Sequence, residues 1–198
     1  MTARTFKRNP LPREFYARGP LVVARNLLGK KLVREYEGER LVGIVSEVEA
    51  YLGERDSASH AFRGRTPRNA VMFGPGGHVY VYFVYGMHNC MNVVAGREGR
   101  AAAVLIRALR PLEGEPTMLQ LRNGRRLLAD GPGKLCQALA IDRGLNGHDL
   151  TRGEALWIEA GPVLPPRSIG KSPRIGIDYA QPEHRDAEWR FFIKRTPD

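Results

Sequence analysis

The stretch Leu41-Val-Gly-Ile-Val-Ser-Glu47-Val-Glu49-Ala-Tyr51-Leu-Gly53 decides how the rest of the chain is read. Its alternating pattern makes residues 41–50 a β-strand. Along it Val45, Glu47 and Glu49 share one face, while Ile44, Ser46, Val48 and Ala50 share the other. Two carboxylates therefore project the same way. Either they face solvent from a half-exposed sheet, or they are buried with partners and a chemical task, because an unpaired buried carboxylate is costly. Arg107 is the candidate partner.

Working outward, residues 31–36 form the preceding strand, joined to it by a hairpin at Glu37-Gly38. Before that, Pro20, Leu21, Ala24, Leu27 and Leu28 have helical spacing, stopped by Gly29. Residues 52–77 lack periodicity and are rich in Gly, Arg, Asp, Pro and Asn, a long ordered loop of a kind that suggests function. Residues 78–85 read as a strand with Tyr80 and Tyr82 on one side and Val79, Val81 and Phe83 on the other. Gly86 permits a turn into a partner strand at 89–94. Residues 103–109 form a further strand that puts Leu105 and Arg107 on one face. Helices are predicted over 117–128 and 135–141, the second opened by Gly131-Pro132-Gly133, and late strands over 156–159, 175–177 and 189–194. Hairpins with a few helices give an α+β fold with a mainly antiparallel sheet. Residues 1–198 read as a single domain, with 1–12 as a basic, poorly ordered tail.

The 198 residues carry 31 Lys+Arg against 21 Asp+Glu, a formal net charge of +10, and suffice for a substantial core. The excess is +6 over residues 1–43 and only +2 in each of 44–113 and 114–198. A basic flank beside a nearly balanced centre suits an enzyme acting on a polyanion, nucleic acid before anionic membrane. A merely solvated basic surface fits the charge as well, and a G+C-rich genome would also explain the arginine bias. No apolar run approaches the ~18 residues of a membrane span, and the basic N-terminus is followed by no signal-peptide core. Cys90 and Cys136 make no disulfide framework, which fits a reducing, cytoplasmic setting.

Tyr80, Tyr82, Phe83 and Tyr85 cluster within six residues, with Met87 and His88 beyond them. Core packing explains such clusters in part. Large side chains around the turn Tyr85-Gly86-Met87 are also what a wedge between base steps needs, and tyrosines within a strand can stack on a base. Lys134 beside Gly131-Pro-Gly is a candidate phosphate contact, though it lacks the spacing of a P-loop. The scattered histidines and cysteines have no metal-ligand spacing, so neither metal nor cofactor is expected.

Taken in order, Leu27-Leu-Gly29, Glu47-Val-Glu-Ala-Tyr-Leu-Gly53, His60, Thr66-Pro-Arg-Asn69, Met72-Phe73, Tyr80-Val-Tyr82, Tyr85-Gly-Met-His88, Cys90-Met-Asn92, Leu105-Ile-Arg-Ala108, Pro132-Gly-Lys-Leu-Cys-Gln-Ala-Leu139 and Arg174-Ile-Gly176 resemble the alkyladenine (3-methyladenine) DNA glycosylase family. The resemblance spans about residues 13–194. It implies a curved sheet with a protruding, DNA-intercalating hairpin and a monofunctional base-excision activity. It makes Glu49 the general base that activates a water, with Arg107 and the backbone carbonyl near Ile175 holding that water. It makes Tyr51, His60 and Tyr82 the rings around an extruded purine, with Asn92 and Leu105 completing the pocket. Tyr85, with Met87, would enter the minor groove. Thr66, Arg68 and Lys134 would meet phosphates.

The implied substrates are 3-methyladenine, 7-methylguanine, hypoxanthine and ethenoadenine in duplex DNA. The protein is expected to act as a monomer without an obligate protein partner, associated with the nucleoid. The rival reading is a non-catalytic module that bends DNA or senses damage. A nuclease is the third, disfavoured by the lack of a metal-ligand cluster.

Overall fold

The computed structural model describes residues 8–194. β1 (Lys31–Tyr36) and β2 (Glu39–Tyr51) pair antiparallel through Glu37 and Gly38, both at positive φ (49° and 80°). Positive φ at both central residues is the geometry of a tight type I′ hairpin. β2 organises the sheet. One edge pairs with β5 (Ala103–Glu113), while the other passes from β1 to β8 (Arg190–Ile193).

The change of partner coincides with a β-bulge. Val45 pairs with Leu109 and Glu47 with Ala108, leaving Ser46 as the extra residue. A bulge reverses side-chain alternation across itself. Val45 therefore joins Val48 and Ala50 in the core, which corrects the expectation that it shares the face of Glu47 and Glu49.

The sheet order is β3 (Val79–Val84), β4 (His88–Val94), β5, β2, β1 and β6 (Leu156–Glu159), with β7 (Ile169–Ser172) attached through β8. All pairings are antiparallel, as expected of this α+β fold. Val23, Ala24 and Leu27 of α2 (Pro20–Leu27) and Leu135 and Cys136 of α4 (Pro132–Ala138) join Val48, Met91 and Val93 in one buried cluster. Each large aliphatic side chain buried there contributes about 1.5–3 kcal/mol. The short helices α1 (Arg13–Tyr16), α3 (Glu115–Leu121) and α5 (Pro182–Arg185) complete the fold. Among the described residues no helix is long and apolar enough to cross a membrane.

Three further expectations need correction. The helix predicted to 128 ends at Leu121, because Asn123 and Gly124 turn left-handed and donate back to Gln120 and Leu119, a Schellman closure. Residues 175–177 form no strand; the strand there is β7, which stops before Pro173. Residues 8–12 are not a loose tail. Arg8 pairs with Glu35 at 2.7 Å, Pro10 bridges to Glu159, and the Leu11 N–H donates to the Ile158 carbonyl. The remainder of that predicted tail, 1–7, lies outside the described residues.

The loop over 52–77 contains only the 3-10 turns Gly53–Arg55 and Ala70–Phe73. Buried Asn69 secures it: its amide donates to the carbonyls of His60 and Gly64, and its side-chain oxygen accepts from the Thr66 N–H.

Candidate active site

Sheet register builds the site. Tyr80 pairs with Asn92, Asn92 with Leu105, Leu105 with Glu49, and Glu49 with Arg190. Directly paired residues share a face, so β3, β4, β5, β2 and β8 contribute one row of side chains. Over the row lies a cavity of about 370 Å³ lined by Tyr51, His60, Tyr82, Asn92, Leu105, Arg107, Ile175 and Tyr85, among others. That volume suits a small molecule or a single base.

Glu49 lies behind this lining and is completely buried. It accepts from the Ile175 N–H at 2.8 Å, the Tyr51 hydroxyl at 3.0 Å and Arg107 at 3.3 Å. Burial pushes its carboxyl above the ordinary carboxylate range, although Arg107, the Ile175 N–H and Tyr51 pull it down. A carboxylate has about four acceptor sites, so one remains. Burial by itself would lower the Arg107 guanidinium, but Glu49 and Glu47 outweigh it and raise that group. Ile175 thus reaches Glu49 by its backbone N–H.

The rings are held as firmly. Tyr82 meets His60 edge-on, with centroids 4.5 Å apart, and His60 Nδ1 is 2.9 Å from the Tyr80 hydroxyl. Burial, then Arg68, lowers the His60 pKa and favours a neutral imidazole. Burial raises the phenols of Tyr51 and Tyr82, leaving both protonated at neutral pH. Asn92 donates to the Tyr80 carbonyl at 3.2 Å.

At the far end of β3 the chain turns through Tyr85 and Gly86, both at positive φ (55° and 67°), closed by the Met87 N–H on the Val84 carbonyl. Left-handed backbone is costly for a bulky residue. Tyr85 is nevertheless 82% exposed and Met87 67%. Tyr85 borders the cavity, whereas Met87 lies in a separate groove with His88 and Gly133.

Of the predicted phosphate contacts, Thr66 and Lys134 do not line the cavity, whereas Arg68 stands beside its rings. Thr66 is engaged with Asn69 inside its loop, and Lys134 pairs with Asp130 at 3.0 Å. Arg68 sits 5.9 Å from the Tyr82 ring centroid. Among the described residues no group of three His, Cys, Asp or Glu side chains could hold a metal ion.

Several site residues were missed by sequence reasoning. Asp56 and Arg174 form a fully buried bidentate pair at 2.5 and 2.8 Å, and Arg174 lies over the rings of Tyr51 and Trp189. This pair fastens the long loop to the segment that brings the Ile175 N–H to Glu49. Tyr179, 72% exposed, lines the cavity near its mouth and donates to the Ala58 carbonyl. The Arg174-Ile-Gly176 run was a visible signal; nothing in the sequence linked Asp56 to it.

The site is thus an aromatic slot with a buried carboxylate behind it. The profile of the methylpurine-DNA glycosylase (MPG) family matches residues 14–197, and the chain belongs to that family. It is a DNA glycosylase, a DNA-repair hydrolase, rather than a non-catalytic binding module.

A "Putative 3-methyladenine DNA glycosylase" of Carboxydothermus hydrogenoformans is 53% identical over 188 residues, 94% of this chain and 96% of that one. Proteins of the same name from Methanocella arvoryzae and Myxococcus xanthus are 50% and 51% identical. The first covers 94% of both chains, the second 87% of this chain and 84% of its own.

Proposed function

We propose that the protein excises alkylated or deaminated purines from duplex DNA, the class of 3-methyladenine, 7-methylguanine, hypoxanthine and ethenoadenine. A base within a duplex has to be extruded first, at a cost of a few kcal/mol that is smaller for damaged bases. Tyr85 fills the vacated stack, and the base enters the slot formed by Tyr51, His60 and Tyr82. A cationic alkylpurine is attracted to electron-rich ring faces. Asn92 and Leu105 sit beneath it and screen its edge.

Hydrolysis then follows from Glu49. A water held at its remaining acceptor site, on the oxygen that also accepts from the Ile175 N–H, loses a proton to the carboxylate as its own oxygen attacks C1′. The C1′–N bond breaks with its electron pair leaving on the base, giving an abasic sugar and a free purine. Until it takes that proton, the negative charge of Glu49 also stabilises the oxocarbenium character that develops at the sugar. General-base assistance of this kind contributes about 10²–10⁴-fold.

A purine that already carries positive charge leaves without further protonation. His60, held neutral, is poorly suited to protonate a neutral one. Lys134, ion-paired away from the cavity, is poorly placed as an amine nucleophile, so the enzyme is monofunctional and leaves the abasic strand intact. In this reading it works as a monomer on nucleoid DNA in the cytoplasm.

The observation that carries the proposal is the buried Glu49, triply hydrogen-bonded behind an aromatic, base-sized cavity. The test is base release from duplexes bearing each of the four lesions, read as alkali-labile sites. Wild-type protein should release at least the cationic bases, and Glu49→Gln should release none above background. Full activity in Glu49→Gln would remove this mechanism.

A further inference from the structure

Glu47 does not line the cavity, yet it is bonded to the cavity's arginine. One oxygen of Glu47 accepts from Arg107 Nε at 2.9 Å and from Arg190 at 3.0 Å. Arg107 reaches Glu49 through a different nitrogen and at the longer distance of 3.3 Å. Arg190 is itself steadied by the Ser172 hydroxyl at 2.9 Å and lies over the Phe192 ring. Two carboxylates and two guanidiniums thus run as one chain, Glu49 to Arg107 to Glu47 to Arg190, from the buried interior to a quarter-exposed Glu47 (24%).

We infer that Glu47 is a positioning residue: it holds the Arg107 guanidinium back from Glu49 and so keeps Glu49 the stronger base. The inference rests on reading Glu49 as the base. A cation committed wholly to one carboxylate favours its ionised form and weakens it as a proton acceptor. A second carboxylate on the same cation divides that effect.

The other groups around Glu49 do not do this. Arg174 and the donors Tyr51 and Ile175 N–H all favour its ionised form, and Tyr82 and Cys90 are neutral neighbours from β3 and β4. Arg190 of β8 is paired opposite Glu49 in the sheet but directs its guanidinium to Glu47. Among the described residues Glu47 is the only other carboxylate within ion-pair distance of Arg107.

The test is the pH profile of single-turnover release of 7-methylguanine, whose ring charge removes substrate protonation from the acid limb. Glu47→Gln should move the acid limb down by about one pH unit and lower the plateau several-fold, as expected of a weaker base. Glu47→Asp should stay closer to wild type. Arg190→Gln should move the limb the other way, because Glu47 then acts on Arg107 alone. Thermal melting checks that each variant is folded.

Opposite shifts from the two variants support the inference, since a packing lesion would not produce them. Unmoved limbs, or shifts of one sign, overturn it while Glu49→Gln remains inactive. If Glu49→Gln keeps full activity, the reading of Glu49 falls as well, so the two failures are distinguishable.

Discussion

The floor of the cavity and the tip of the hairpin solve opposite problems. At the floor, Glu49, Arg107, Asp56 and Arg174 are buried or nearly so and held by several hydrogen bonds each. At the tip, Tyr85 and Met87 are exposed, and Tyr85 sits on left-handed backbone. Charge that must act on a reacting bond gains from being fixed in advance in a dry site. A side chain that must enter another molecule has to be left without partners in its own. The contrast teaches that rigidity and exposure are divided between a floor built on β2, β5 and their flanking loops and the tip of the β3–β4 hairpin.

The largest effect on the fold is expected at the floor. Asp56→Ala leaves the buried Arg174 guanidinium without its counter-charge and should lower stability by about 3–5 kcal/mol in denaturant unfolding. Excision should fall with it, because Arg174 lies 4.6 Å over the Tyr51 ring. A loss below 1 kcal/mol would mean that the pair does not hold the floor together.

At the tip the sign should reverse. Tyr85→Asn places a residue that tolerates positive φ beside Gly86, and should raise stability by about 1 kcal/mol while slowing base release. Reduced stability would show instead that the ring supports the fold.

A smaller effect concerns pH. Because burial raises the Glu49 carboxyl in the folded protein, its contribution to stability is fully present below its ordinary value of 4.5 and is lost as pH rises through the folded value. The stability difference between wild type and Glu49→Gln should therefore drift in favour of the variant as pH rises over that window. A drift the other way would contradict burial as the dominant cause. The smallest effect is expected of Lys134→Ala. Its half-exposed pair with Asp130 contributes at most about 1 kcal/mol, and base release should be unchanged.

Much of this was legible in the sequence because period-two alternation, tight turns and short motifs are local signals. The strand ending in Glu49-Ala-Tyr51, the Tyr80/Tyr82 strand and its hairpin, and the Leu105/Arg107 strand all lie where alternation put them. The row from Tyr80 to Glu49, however, is a fact of register between four strands, which no single strand records. The bulge at Ser46 was invisible for the same reason: it exists only against β5. The Asp56–Arg174 pair joins residues 118 apart in sequence, and a buried ion pair leaves no periodic trace. The strand predicted at 175–177 failed because Ile175 gives its N–H to Glu49 and Ile177 packs against Ala58 and Ala180 rather than joining a sheet.

The division of labour is tested most directly by measuring single-turnover base release and binding on the same 7-methylguanine duplex for wild type, Glu49→Gln and Tyr85→Ala. The account predicts that Glu49→Gln loses release by at least about 10²-fold while binding as wild type does, and that Tyr85→Ala weakens binding and extrusion while remaining folded. Base release by Glu49→Gln at the wild-type rate, or a Tyr85→Ala protein that binds and releases normally, would contradict it.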